Sequence, residues 1–417
     1  MRVLVVGGGG REHALAWWLS TSPRVEEVLC APGNGGTPGN RPVAADDVEG
    51  IVALARTEAV DLVVVGPEVP LVAGVVDALV AAGVPTFGPT AACARLEGSK
   101  AFAKDAFTRW GIPTARSVTV RDVAAGRAAL ATFADPPVIK ASGLAAGKGV
   151  VVAETVAEAD EALVGMLEGG WFGDAGAEVV LEERLVGDEV SVLAVCSGTT
   201  YSFLPLARDH KRLLDGDRGP NTGGMGAFAP VADLADPAFL AEVGATVFEP
   251  TLRGLAAEGT PYLGVLYAGL MLTADGIRVL EFNCRFGDPE TQVILPLVAN
   301  DPVDLLEAAI DGRLADEPVR WTDQHVATVV LAADGYPASP RTGDAIEGLA
   351  AAAAAGCLVF HAGTVATADG PRTAGGRVLA VTAVGDDAAA ALRLAYQGVA
   401  AISFPGAQHR SDIGRTA

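Results

Sequence analysis

Pro137-Val138-Ile139-Lys140-Ala141-Ser142-Gly143-Leu144-Ala145-Ala146-Gly147-Lys148-Gly149-Val150-Val151-Val152 is the stretch on which the reading of this 417-residue chain turns. Pro137 to Lys140 and Gly149 to Val152 are short apolar runs, and Ser142 to Lys148 between them is rich in glycine. A strand-to-helix phosphate loop needs four residues between its glycines and a Ser or Thr after the lysine. Here three residues separate Gly143 from Gly147, and Gly149 follows Lys148. Strand signals on both sides instead predict a β-hairpin carrying a flexible flap. The N–H groups around Gly147 and Gly149, together with Lys148, can close over the β- and γ-phosphates of a nucleotide. An ordinary hairpin turn is the alternative.

The neighbouring residues extend this reading. Lys140 emerges from an apolar strand, and Lys104 lies on a helix expected between about Ser99 and Ala115, ahead of the breaker Gly111-Ile112-Pro113. A lysine in such surroundings is costly to bury without an anion, which a nucleotide phosphate would supply. Snorkelling to the surface is the other possibility for Lys140. Past the flap, strands are expected at 179–182 and 189–195, joined by Glu182-Glu183-Arg184-Leu185 and Gly187-Asp188-Glu189. Such an edge can hold an adenine amino group by backbone and carboxylate, with Glu189 on the ribose hydroxyls. A solvated acidic loop would look the same in isolation.

Leu280-Glu281-Phe282-Asn283-Cys284-Arg285-Phe286-Gly287-Asp288-Pro289-Glu290 carries the most specific chemistry. Strand alternation puts Glu281, Asn283 and Arg285 on one face and Leu280 and Phe282 on the other. A carboxylate and an amide oxygen two positions apart are hard donors suited to Mg²⁺, which also keeps waters and takes phosphate oxygens. Arg285 follows, with a fork that grips a carboxylate or phosphate. A polar edge-strand face is the plainer alternative. Asp209-His210-Lys211-Arg212 and Gly219-Pro220-Asn221-Thr222-Gly223-Gly224-Met225-Gly226 form a polar, glycine-rich stretch of the kind that is functional or disordered in compact domains.

The first hundred residues alternate apolar runs (Val3–Val6, Val25–Cys30, Leu62–Val65) with helical patterns (Glu12–Ser20, Ile51–Thr57, Val72–Ala82), the βαβ rhythm of a parallel sheet. Gly7 to Gly10 and Arg11 stand where a helix N-terminus can receive a phosphate. The dinucleotide fingerprint fails, because neither Gly7 nor Gly8 places a third glycine correctly and the second strand ends at Cys30 instead of an acid. His13 has no catalytic assignment and is read as packing on its helix. From about Val326 the chain reads as a small α+β domain, with strands at 327–331 and 377–381 and an alanine tract at 350–355.

Composition narrows the function. A formal net charge of -21 argues against a long polyanion such as nucleic acid and leaves small molecules. The longest apolar run, Leu349 to Phe360, is short of the roughly 18 residues that a membrane span needs. The N-terminus has no signal-peptide pattern, so a cytoplasmic location is expected. The five scattered cysteines, without Cys-x-x-Cys spacing, read as reduced thiols.

Taken together, these segments resemble the phosphoribosylamine–glycine ligase family of the ATP-grasp superfamily. The resemblance runs from Arg2 to about Arg415 and rests on ordered strings: 9–15, 31–34, 66–68, 96–100, 143–150, 209–212, 219–226 and 281–290. It implies an α/β and α+β multidomain chain: an N-terminal parallel-sheet domain (1–100), ATP-grasp units at 101–197 (lid about 115–190) and 198–320, and a small C-terminal α+β domain (321–417). It also implies ATP and Mg²⁺ or Mn²⁺ as cofactors, glycine and 5-phosphoribosylamine as partners, and a monomer or homodimer. By this resemblance ATP falls to Lys104, Lys140, Gly147, Lys148, Gly149, Glu182, Glu183, Leu185 and Glu189, and the metal to Glu281 and Asn283. Substrate contacts fall to Gly9, Gly10, Arg11, Glu68, Asp209, Lys211, Asn221, Thr222, Gly223, Arg285 and Asp288, with Arg285 and Lys148 catalytic. The family often has Asp at the position of Ser142, so this chain loses a charge beside the flap. The nearest rival is another ATP-grasp carboxylate–amine ligase with a different acceptor; a nucleotide-sensing protein without turnover is a more distant one.

Overall fold

A computed structural model describes residues 1–145, 148–234 and 236–415. Four parallel strands, in the order Glu27–Pro32, Arg2–Gly7, Leu62–Val65 and Thr86–Phe87, form the N-terminal sheet. Their β-branched runs are buried on both faces, as parallel strands require. The helix Gly10–Leu19 starts directly after the first strand, so the glycine run lies at the strand's carboxyl end. The expected helix Val72–Ala82 is instead two, Glu68–Val72 and Val75–Ala81, because Gly74 between them takes φ +87°.

The flap region is an antiparallel sheet ordered Ser117–Val120, Val179–Glu182, Val138–Ala141, Val150–Val152. Val138 pairs with Val152 and Lys140 with Val150, the hairpin the sequence predicts. Helices Val123–Leu130 and Val156–Leu167 cover it, and Leu130, Ile139, Leu163, Met166 and Leu181 form a core belonging to this unit alone. A unit with its own core can move as a body.

The central sheet is antiparallel: Thr200–Phe203, Asp188–Gly198, Tyr262–Thr273 and Gly276–Asn283. Its last pairing slips at Gly269/Leu270, so that Gly269 faces Glu281 while Leu270 faces Val279. Leu280 is the extra residue of a bulge, and strict alternation fails there: Leu280 lines the cleft beside Glu281 and Asn283 instead of turning away from them.

The tail's sheet is not closed on itself. Its strands His325–Ala332, Arg377–Gly385 and Leu358–His361 are extended by Gly226–Ala229 and Arg208–Asp209 from the preceding unit. One apolar core runs through the N-terminal, central and C-terminal sheets, with Val3, Leu193, Val265, Val326 and Phe360 among its members. No helix among the described residues is long and apolar enough to cross a membrane.

Candidate active site

A cleft of about 620 Å³ opens between the flap sheet, the central sheet, the start of the first helix at Arg11, and the segment 209–223; Gly9 and Gly10 are not on its wall. Of the residues singled out from sequence, Arg11, Glu68, Lys104, Lys140, Gly149, Glu182, Glu183, Leu185 and Glu189 line it. So do Asp209, Lys211, Asn221, Thr222, Gly223, Glu281, Asn283, Arg285 and Asp288. Lys148 is exposed at the hairpin tip and is not on the wall. Gly147 lies outside the described residues. Apolar surface comes from Val138, Val152, Leu185, Met271 and Leu280, enough to flank a flat base.

Three buried charges converge under the hairpin. The Glu182 carboxylate meets Lys104 Nζ at 2.9 Å and Lys140 Nζ at 2.5 Å. Thr114 Oγ1 accepts from Lys104 Nζ at 2.7 Å and donates to the Val279 carbonyl. Burial pushes the Glu182 carboxyl up, but Lys140 and Lys104 outweigh it and hold the group below the usual range. Burial also lowers Lys104. Two cations share one carboxylate, so a net positive charge faces the cleft, where an anionic ligand is favoured.

Arg285 is fixed from several sides. It lies 3.3 Å from Glu68 and 2.9 Å from Glu97, and donates to Asn283 Oδ1 at 3.1 Å. Glu97 accepts from the Cys284 N–H at 2.7 Å, which anchors the pair to the end of the strand. Burial pulls the guanidinium down, but Glu97 and Glu68 raise it further, so it stays charged. Glu281 and Asn283 stand on the same strand end, and the amide oxygen keeps a second lone pair beyond its bond to Arg285. Among the described residues no group of three or more His, Cys, Asp or Glu could hold a metal unaided. Two hard oxygen donors fit an ion such as Mg²⁺, which fills its remaining positions with water and phosphate.

On the opposite side, Arg11 is buried against Glu12 at 2.5 Å and donates to the Phe286 carbonyl. Gly8 approaches the Gly33 carbonyl so closely that a Cβ there would lie 2.4 Å from it. Gly9 and Gly10 lie against Asp288, within 3.5 and 3.8 Å of its carboxylate measured from an added Cβ. Lys211 pairs with Glu189 at 2.7 Å, so these two are mutual partners in the cleft. Thr222 donates through N–H and Oγ1 to the Lys211 carbonyl, closing the loop that carries Asn221 and Gly223. Ser142 is buried: its Oγ accepts from the Ala101 N–H at 3.1 Å and lies 3.2 Å from Glu178, tying the flap's root to the helix Lys100–Trp110.

Sequence reasoning missed several wall residues: Glu97, Lys100, Tyr267, Met271, Glu290 and Arg377. Arg377 comes from the C-terminal sheet, donates to the carbonyls of Gly223 and Asp288, and faces the Asp288 carboxylate. Glu290 accepts from Tyr267 at 2.7 Å and from Ser191 at 3.3 Å. A charged residue opening the otherwise apolar strand Arg377–Gly385 was the only available sign of Arg377.

Three family profiles match in order: Phosphoribosylglycinamide synthetase, N domain (residues 1–97), ATP-grasp (A) domain (98–291) and C domain (326–416). A phosphoribosylamine–glycine ligase from Allochromatium vinosum is 52% identical over 423 residues, covering 100% of this chain and 99% of its own length. The chain belongs to the phosphoribosylamine–glycine ligase family. A trifunctional purine biosynthetic protein, adenosine-3, from Gallus gallus is 50% identical across 99% of this chain and 42% of its own length, so there this family forms one part of a longer polypeptide. The crystal structure of phosphoribosylamine–glycine ligase from Thermotoga maritima superposes with a TM-score of 0.86 at 36% identity, covering 99% of this chain and 100% of that one.

Proposed function

We propose that this chain ligates glycine to 5-phosphoribosylamine in purine biosynthesis, converting ATP to ADP and phosphate and passing through glycyl phosphate to glycinamide ribonucleotide. The observation that carries this reading is one cleft in which Lys104, Lys140 and Arg285 converge with Glu281 and Asn283. Family membership over the full length supports 5-phosphoribosylamine as the acceptor.

A glycine carboxylate oxygen attacks the γ-phosphorus and ADP leaves. The amine nitrogen of phosphoribosylamine then attacks the glycyl carbonyl carbon, and phosphate departs with one former glycine oxygen. In phosphoryl transfer the protein mainly positions groups and offsets charge. Lys104 and Lys140 take the phosphates, exchanging part of their attraction to Glu182 for the nucleotide. Val138, Val152, Met271 and Leu280 flank the base, Glu183 and Leu185 face its edge, and Glu189 meets the ribose. A Mg²⁺ or Mn²⁺ ion held by Glu281 and Asn283 would neutralise charge on the transferred phosphoryl group. Arg285, held rigid by Glu68 and Glu97, orients the glycine carboxylate. Lys148 joins when the flap unit moves onto the nucleotide. Gly9, Gly10, Arg11, Asp288 and the 221–223 loop form the phosphoribosylamine side. Five free, buried cysteines fit a reducing cytoplasm.

ADP release is measured with ATP, Mg²⁺, glycine and phosphoribosylamine generated in situ, omitting one component at a time. Dependence on all of them, with glycinamide ribonucleotide formed, is the expected result. Release that ignores glycine or the amine would assign the cleft to a different ligase.

A further inference from the structure

Nine carboxylates line the cleft. Six have partners there: Glu182 the two lysines, Glu68 and Glu97 Arg285, Glu189 Lys211, Asp288 Arg377, and Glu290 Tyr267. Glu183 is exposed at the rim, and Glu281 is assigned to the cation. Asp209 remains. It is half-buried on the cleft wall, and among the described residues no other side chain hydrogen-bonds or ion-pairs with its carboxylate, which only its own backbone N–H and the charge of Lys211 favour as the anion.

Its backbone is fixed. Asp209 pairs with Ala227 in the C-terminal sheet, and two residues earlier Ala207 bridges to Ser191 of the central sheet. The charged and titratable groups facing it are Lys211 from its own segment, Glu189 and Tyr267 from the central sheet, and Glu290 from the turn after the cation-binding strand. The ligation itself poses a proton problem. An amine that attacks an acyl phosphate becomes an ammonium, and the amide forms only when that proton leaves.

Resting on the ligase reading above, we infer that Asp209 is the general base of the second half-reaction. Its carboxylate takes the proton from the phosphoribosylamine nitrogen as the C–N bond forms, and the C–O bond to phosphate breaks with its electron pair leaving on phosphate. Burial pushes the Asp209 carboxyl up; Lys211 opposes this, Glu290 and Glu189 add to it, and the group comes to about 7. A base titrating near the working pH combines a useful ionised fraction with real proton affinity. Protonation removes the base, so the ligation slows as pH falls through this region.

The test compares the full-length protein with Asp209→Asn and Asp209→Glu in two reactions. One is glycinamide ribonucleotide formation. The other is glycine hydroxamate formation from ATP, glycine and hydroxylamine, a strong nucleophile that intercepts the acyl phosphate without help from a base. In Asp209→Asn, ribonucleotide formation is expected to fall about 100-fold more than hydroxamate formation, and the acid limb of kcat/KM for phosphoribosylamine should disappear. Asp209→Glu should recover at least part of the rate with a displaced limb; if the Asn variant does not fold, the position of that limb alone decides. Equal losses in both reactions, or an acid limb unmoved in both variants, would overturn the assignment and give the limb to the substrate amine. Absence of glycine-dependent hydroxamate from the unsubstituted protein would instead overturn the ligase reading, and this inference with it.

Discussion

Arg377 and Asp288, 89 residues apart, meet at the cleft wall: the guanidinium donates to the Asp288 carbonyl at 2.9 Å and lies 3.4 Å from its carboxylate. The same guanidinium donates to the Gly223 carbonyl, so one C-terminal side chain holds both the loop and the corner after the strand Gly276–Asn283. Burial and Asp288 act on it in opposite senses, and its charge is secured by the carboxylate.

Arg377→Ala therefore loosens the amine side of the cleft more than the nucleotide side. Charge-assisted hydrogen bonds contribute about 1.5–3 kcal/mol each, so kcat/KM for phosphoribosylamine should fall roughly 10- to 100-fold while KM for ATP changes little. Steady-state kinetics with each substrate varied in turn checks this. Arg377→Lys should not rescue, because a point charge cannot reach two carbonyls and a carboxylate as a fork does. Equal effects on both substrates would contradict the clamp.

Glu182→Gln leaves Lys104 and Lys140 buried beside each other without their shared anion. Breaking a buried ion pair from one side costs about 3–5 kcal/mol, so Tm should drop clearly. ATP should restore more stability to this variant than to the unsubstituted protein, because its phosphates replace the missing charge. Thermal unfolding with and without ATP reads both effects. A variant as stable as the parent, or one that ATP does not help, would count against the paired-lysine site.

His13 ties the first helix to the C-terminal sheet: its Nδ1 accepts from the His361 N–H at 2.8 Å. Burial, and then His361, lowers its pKa from the ordinary 6.5 to about 4. Above pH 6.5 both folded and unfolded chains hold His13 neutral, and its contribution to stability is complete. As pH falls from 6.5 towards 4 the unfolded chain binds the proton first, so stability is lost, by up to about 3 kcal/mol. Urea midpoints at pH 8 and pH 5.5 should differ less in His13→Gln than in the parent. An unchanged difference would remove His13 as a source.

Glu281→Ala should impair turnover far more than ATP binding. A cation at the transferred phosphoryl group contributes several kcal/mol, so a loss of roughly 100-fold or more in kcat is expected. The ATP-induced thermal shift should be reduced only modestly. Near-normal turnover with Mg²⁺ would contradict the assignment of Glu281.

Much of this cleft was legible because its chemistry sits in contiguous strings. Lys140 before the hairpin, the Glu182–Glu189 edge and the Glu281–Asn283–Arg285 face each follow from local period and residue type, and each reaches the cleft wall. What was not legible depends on distant partners. Gly226–Ala229 joins a sheet with Val326–Val329, and nothing in either segment announces the other. Leu280 turns to the cleft because its neighbour strand slips register at Gly269/Leu270, a property of the pair and not of Leu280. Glu97 and Arg377 enter through contacts spanning nearly two hundred and about ninety residues, respectively. The Lys148 assignment differs in kind: the side chain stands exposed, and its role rests on movement of the flap unit, which a sequence pattern does not describe.

The central claim is that the glycine carboxylate is phosphorylated before the amine attacks. Glycine carrying ¹⁸O in both carboxylate oxygens follows this directly, with ATP, Mg²⁺ and phosphoribosylamine, by mass analysis of both products. One ¹⁸O should appear in each phosphate released and one should remain in the amide of glycinamide ribonucleotide. Unlabelled phosphate, with ADP still formed, would contradict the account.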